Sequence, residues 1–330
     1  MNEHGGNLKD ILMDDDYGGA HAQPSVLHEL NKSNRRLEKL LADLRNEQDA
    51  EGELRTIARS VTTAAELNPD IALACIFLNQ IAGTYAVRHC IETAIVTALV
   101  ARKLHRTQEE LLVLTSAALT MNVGMLRHNE TFQNKSTPLS HEEKAIVRRH
   151  PEDSAELLKS AGVQDEEWIS CVLLHHENDD GSGYPAGVAS PEVTLNAKLL
   201  SFADRYCAQV SARNYRKSIL PSLALRNLVE DQAAPVDPHL ADCFRRELGD
   251  FPPGCLVRLA GGEIGVVSRR QGCSNGLQVH YLRDAGGAML SPAQPRCIGD
   301  GPLDIAEGLS EDEASTRFSM KQIWGAQASL

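Results

Sequence analysis

His175 and His176 head a stretch, His175-His176-Glu177-Asn178-Asp179-Asp180-Gly181-Ser182-Gly183-Tyr184-Pro185, that places two imidazoles, three carboxylates and two glycines within eleven residues. Imidazoles are frequent metal ligands, and a helix end can aim them rigidly into a cleft. Trp168, Ile169, Val172, Leu173 and Leu174 precede the pair with helical spacing, which predicts a helix ending in the histidines. Behind it comes a turn-rich loop closed by Gly-Tyr-Pro. The same composition also suits a solvated loop with a histidine at the helix C-terminus, so these residues alone leave both readings open.

The order His-His-Glu-x-x-Asp-Gly-x-Gly-Tyr-Pro resembles the signature of the HD-GYP domain family, metal-dependent phosphohydrolases whose members cleave cyclic di-GMP. Other segments carry the resemblance in the right order over roughly residues 84–230. His150-Pro151 ends a charged helix upstream, and Ala203-Asp204-Arg205-Tyr206 and Ser211-Ala212-Arg213-Asn214-Tyr215-Arg216 follow downstream. The resemblance implies metal ligands at His89, His150, His175, His176 and Asp204, and phosphate contacts from Arg213 and Arg216. It also implies that Asp180, Gly181, Gly183, Tyr184 and Pro185 form a loop that shapes the site and can meet diguanylate cyclase domains.

One element departs from the pattern. Where the family has His-Asp-x-Gly-Lys, this chain has Met121-Asn122-Val123-Gly124-Met125. Tyr85 stands where some members supply a glutamate, and Cys207 where a second aspartate is usual. A neutral amide cannot replace a carboxylate shared between two cations, which then repel each other. A thioether is a poor partner for iron or manganese. Met125 lacks the charge of the lysine it replaces. Met121 and Met125, four positions apart on one face, also suit simple core packing. The expected cofactor is therefore a divalent metal, iron or manganese, at one site rather than two, or none if degeneration is complete. The expected function is a degenerate HD-GYP signalling domain, weakly active or inactive, that binds cyclic di-GMP, a related phosphoester or a partner protein. An active phosphodiesterase with an altered metal site is the alternative.

The elements that must position these residues read as mainly α: an HD-type helical bundle, preceded by an amphipathic helical region and followed by a small β module. Expected boundaries are a flexible 1–24, helices over 25–82, the HD-GYP domain over 83–250, the β module over 251–300 and an acidic tail over 301–330. Leu27, Leu30, Leu37, Leu41 and Leu44 form a seam that either builds a short coiled coil, and so a homodimer, or packs on its own domain. Asn68-Pro69-Asp70 breaks a helix before the next, over Ile71–Ile81. Thr107 is an expected N-cap, Ser140 with Glu143 has capping-box spacing, and His128–Thr137 reads as polar loop. From Phe251 the period changes to two, with a Gly261-Gly262 hairpin turn.

The 330 residues are 42% hydrophobic but only 4% aromatic, which predicts an aliphatic core. With 45 acidic against 33 basic residues the net charge is -12, so the chain lacks an overall basic footprint for DNA or RNA. The eight cysteines contain no Cys-x-x-Cys pair, and several sit in apolar helical runs where free cysteine behaves as a small hydrophobe, which predicts a reducing compartment. The polar opening and the short apolar stretches Ile91–Val100 and Leu111–Met121 predict a cytoplasmic protein with no membrane span.

Overall fold

Ser25 caps the first helix, α1 (Val26–Ala42), by accepting the N–H of His28. The computed structural model describes residues 24–330 apart from 134, 136, 212–217, 232–233, 274–275 and 300–304. The flexible N-terminus expected over 1–24 lies, but for its last residue, outside the described residues. The leucine seam of α1 is buried against α2 (Ala50–Leu67), α3 (Pro69–Phe77) and α4 (Tyr85–Lys103). Asn34, on the same seam, donates its amide to the Ala82 carbonyl at 2.6 Å. These leucines are therefore covered by the chain's own helices, which leaves no free seam for a coiled coil.

Asn68 ends α2 and caps α3, with Pro69 in the first turn, where its missing N–H costs nothing. Helix α3 stops at Phe77 rather than Ile81, because Asn79 takes the left-handed conformation at φ 51°. A capping box of Thr107 and Glu110 opens α5 (Gln108–Thr120). A short 3₁₀ turn, Val123–Met125, then leads directly into α6 (Leu126–Gln133), where a polar loop was expected. Continuity with the preceding turn, rather than any apolar stripe, sustains this helix.

Ser140 and Glu143 make the predicted capping box of α7 (His141–Ser160). This helix does not end near Arg149 but runs on through Pro151, which is buried. Proline has no N–H to give the carbonyl four residues back, normally a reason for a helix to break. Here the orphaned carbonyl is that of Val147, and the His150 side chain takes it, Nδ1 to O at 2.6 Å. The remaining helices are α8 (Glu166–Leu174), α9 (Leu195–Val210), α10 (Pro221–Glu230) and α11 (Pro238–Leu248). One aliphatic core runs through all of these except α6. Trp168 on α8 is fully buried and donates its indole N–H to Thr120 Oγ1 at 2.8 Å. Among the described residues one stretch, Gln108–His128, is long and apolar enough to cross a membrane. It exceeds the segment expected, but 72% of an apolar 18-residue part of it is buried within the fold, as befits a core segment.

Five antiparallel strands follow: β1 (Leu256–Leu259), β2 (Ile264–Cys273), β3 (Gly276–Arg283), β4 (Met289–Cys297) and β5 (Ile305–Leu309), in the order β4-β3-β2-β1-β5. Strand β5 lies in the expected acidic tail, so the sheet extends past residue 300. Ile305 and Leu309 pair with Leu259 and Leu256 and are buried there. The short helices α12 (Glu311–Ala314) and α13 (Met320–Trp324) then fold back, and Asn68 donates to the side chain of Gln327. Arg270 on β2 ties the sheet to the bundle through Asp70 at 2.9 Å and Glu247 at 2.7 Å. Six cysteines are free and buried, as expected of those in apolar runs, but Cys297 is disulfide-bonded, against the expected reducing compartment.

Candidate functional site

The His-Pro pair of α7 fixes more than a helix. Because the Val147 carbonyl can only accept, His150 must carry its proton on Nδ1, leaving Nε2 with a bare lone pair. His175 caps the end of α8 in the same way, with Nδ1 2.7 Å from the Val172 carbonyl. The two Nε2 atoms face each other at 3.2 Å. His176 completes the group, with ligand nitrogens of all three within 4.8 Å of one another.

Two lone pairs at that distance repel unless a proton or a cation lies between them. Burial opposes the proton: it lowers His150 to about 3, helped by neighbouring His175, and lowers His175 and His176 as well. A metal ion satisfies both nitrogens without protonating either. The 3.2 Å separation also suits two ligands of one ion, given metal–nitrogen bonds of about 2.1 Å. His150, His175 and His176 therefore fit a metal.

Two other expected ligands have a different arrangement. Asp204 on α9 is buried, and its Oδ1 lies 2.8 Å from Nε2 of His89 on α4. Burial pushes this carboxyl up, but the His89 hydrogen bond and the nearby histidines outweigh it and hold the group well below the usual carboxylate range. Asp204 thus lies within electrostatic reach of His175 and His176 while bonded to His89. Tyr85 stacks on the His89 ring, centroids 5.6 Å apart.

The Met121-Asn122 element keeps its scaffold and has lost its chemistry. Ser154 Oγ donates to the Met121 carbonyl at 2.9 Å and accepts the Gly124 N–H at 2.9 Å, fastening the 3₁₀ turn to α7. A Cβ on Gly124 would lie 2.6 Å from the Ser154 backbone nitrogen, so this position requires glycine. Met121 is fully buried in the aliphatic core, Asn122 is buried with no hydrogen-bond partner for Oδ1 among the described residues, and Met125 is half-buried. Cys207 is buried too, and burial raises its thiol well above the usual range.

The loop after His176 is held from inside by Glu177, to which the motif alone assigns no role. Its Oε1 accepts the N–H groups of Ala186 at 2.8 Å and Gly187 at 3.0 Å. A Cβ on Gly183 would meet the His176 carbonyl at 2.5 Å, and Tyr184 N–H donates to that carbonyl at 3.0 Å. Gly181 has φ +76°, while Asp180 accepts from the N–H and hydroxyl of Ser182 and stays exposed. The Tyr184-Pro185 bond is cis. The Tyr184 ring stacks on His176 at 4.7 Å, and the Arg148 guanidinium covers it at 5.1 Å. Arg213 and Arg216, the expected phosphate contacts, lie outside the described residues.

A family model for the HD domain matches residues 71–240, just over half of the chain. The chain belongs to the HD domain family, in its HD-GYP branch. This HD-GYP chain is 29% identical over 264 residues to "Cyclic di-GMP phosphodiesterase PA4108" of Pseudomonas aeruginosa, covering 79% of the chain and 64% of that protein. It is 29% identical to "Cyclic di-GMP phosphodiesterase response regulator RpfG" of Xanthomonas campestris, covering 54% of the chain and 46% of the relative. The chain thus spans less than two thirds of either relative's length. Among solved structures it is similar in fold to "Bd1817, a HDG"Y"P protein from Bdellovibrio bacteriovorus", with TM-score 0.53 and 16% identity over 71% of this chain and 74% of that one.

The ligand assignment can be checked by metal content alone. His175→Ala is expected to lose bound metal, whereas Met121→Leu, a change within the core, is expected to retain it. Equal content in the two variants, by elemental analysis, would count against the three-histidine site.

Proposed function

We propose that this HD-GYP domain binds cyclic di-GMP or a related phosphodiester at one divalent metal, iron or manganese, held by His150, His175 and His176. Turnover is weak or absent, and the domain signals through nucleotide binding or through partner proteins such as diguanylate cyclases at the Gly-Tyr-Pro loop. The observation that carries this reading is the pair of Nε2 atoms facing each other at 3.2 Å, in a site where Met121 and Asn122 replace the His-Asp pair. Relatives named as cyclic di-GMP phosphodiesterases support the substrate class.

A metal there would act as a Lewis acid on a phosphoryl oxygen and on water. The chain's own residues do the rest. His150 and His175, locked by the Val147 and Val172 carbonyls, present fixed lone pairs. The Asp204 carboxylate, kept ionised and anchored by His89, supplies nearby negative charge. Burial and the Asp204 charge push the Tyr184 phenol up, so it stays protonated and able to donate a hydrogen bond. What Asn122 cannot supply is the bridging charge that holds a second cation.

The test is cyclic di-GMP turnover by anaerobically purified protein given ferrous iron or manganese, beside a His175→Ala control. Slow turnover or none, with metal-dependent nucleotide binding that the control loses, is the expected result. Fast turnover lost in the control would establish the active alternative. No binding and no turnover in either protein would overturn the nucleotide reading and leave the loop surface as the remaining function.

A further inference from the structure

We propose that Arg148 is the cation that receives a substrate phosphate at this site, in place of the lysine that Met125 replaces. The inference rests on the cyclic dinucleotide reading above and names a residue that neither the motifs nor the three-histidine group includes.

Arg148 lies on α7 two residues before His150, a spacing that turns it away from the histidine along the helix. The Gly-Tyr-Pro loop brings it back. Tyr184 contacts both the Arg148 guanidinium, at 5.1 Å, and the His176 ring, at 4.7 Å, and is also 6.4 Å from the His150 ring. The guanidinium is thus held against a ring that itself stacks on His176, one of the candidate metal group. Neighbouring Arg149 is committed to Asp153 at 3.0 Å. Arg148 is exposed, and among the described residues it makes no ion pair. Its charge is available, and its direction is set by a cation–π contact that leaves the N–H groups at the guanidinium edge open to an anion.

The chemistry fits one class of ligand. In a chain of net charge -12, a phosphodiester needs local cations to approach, and the turn that should carry a lysine offers a half-buried methionine. A guanidinium fork pairs with two phosphate oxygens at once, which an ammonium cannot do. A cyclic dinucleotide has two phosphodiesters. With one at the histidines, the other has Arg148 beside the Tyr184 ring. Arg148 therefore favours cyclic dinucleotides over esters with a single phosphate.

The test uses metal-loaded full chain and its Arg148→Ala and Arg148→Lys variants, with calorimetric binding of cyclic di-GMP and, as a one-phosphate probe, bis(p-nitrophenyl) phosphate. Arg148→Ala is expected to weaken cyclic di-GMP about tenfold, Arg148→Lys to recover part of that, and the one-phosphate probe to change less than about twofold. Metal content should match in all three proteins. Equal cyclic di-GMP affinity in the natural chain and Arg148→Ala would overturn the inference and leave the proposed function standing. Loss of metal in Arg148→Ala would also overturn it, by showing that the residue supports Tyr184 and the histidines instead. Failure of the natural chain to bind cyclic di-GMP would remove the function reading and this inference together.

Discussion

Restoring both lost side chains, Met121→His with Asn122→Asp, is expected to raise cyclic di-GMP turnover by about a hundredfold in protein supplied with manganese or ferrous iron, the scale of one well-placed electrostatic group. The backbone is ready to receive them. Ser154 holds the Met121 carbonyl and the Gly124 N–H, and Gly124 still allows the turn to approach α7 closely. Asn122 and aspartate are nearly the same size, so the change replaces an amide with a charge at little cost in packing. Met121 to histidine removes a thioether from the core and adds an imidazole, so a modest loss of stability should accompany it.

Metal dependence gives a second readout. Without metal, the carboxylate introduced by Asn122→Asp would be buried, at a position where Asn122 is 3% exposed and its Oδ1 has no partner among the described residues. An uncompensated buried charge costs several kcal/mol, so the metal-free double variant should melt lower than the natural chain. Adding metal should then raise its Tm by more than it raises that of the natural chain, because binding stabilises only the folded state. A larger Tm rise without a gain in turnover would place the remaining block at Met125 and Cys207. No change in either would show that position 122 does not face the metal group.

Motif order and helical period carried most of the bundle, since capping boxes at Thr107 and Ser140 and the break at Asn68-Pro69 are local features with local causes. The misses were of another kind. Helix α7 passing through Pro151 depends on a side chain, His150, repairing the carbonyl that proline leaves bare, and no propensity includes such a repair. Strand β5 depends on pairing with β1, across a separation in sequence that period alone does not bridge. Within the site, His150, His175 and His176 were legible as a group because the motif names them. The bond between His89 and Asp204 was not, since a set of ligands says nothing of which ones satisfy each other. Glu177 was visible inside the motif, but its role as the internal strut of the loop appears only when the Ala186 and Gly187 N–H groups are placed. Arg148 had no sequence signal at all, because its partner Tyr184 is brought to it by the loop.

The same buried histidines make the metal-free protein acid-sensitive. Burial depresses the folded-state pKa of His150 to about 3, from an ordinary 6.5, and lowers those of His175 and His176. Below about pH 6.5 the unfolded chain takes up more protons at these rings than the folded chain does. Stability from these groups is therefore fully present above about pH 6.5 and lost as pH falls toward the folded values. His150, with its folded value near 3, contributes a slope of about 1.4 kcal/mol per pH unit below pH 6.5, and His175 and His176 add to it in the same direction. Against a typical total of about 5–15 kcal/mol, the loss over one or two units below pH 6.5 is a sizeable share of the stability of metal-free protein. Urea denaturation of metal-stripped protein at about pH 7.5, 6.5 and 5.5 measures this directly, with little change over the first step and a steep fall over the second. His150→Gln should reduce the slope, since it removes one titrating ring. Bound metal stabilises the folded state alone, and the lowered ring values leave it few protons to displace. Loaded protein should therefore resist urea better than stripped protein by a similar margin at each pH. A flat profile in stripped protein would mean that the histidines accept protons in place, with the repulsion between His150 and His175 relieved by a proton, and would remove the main physical reason for assigning a metal there.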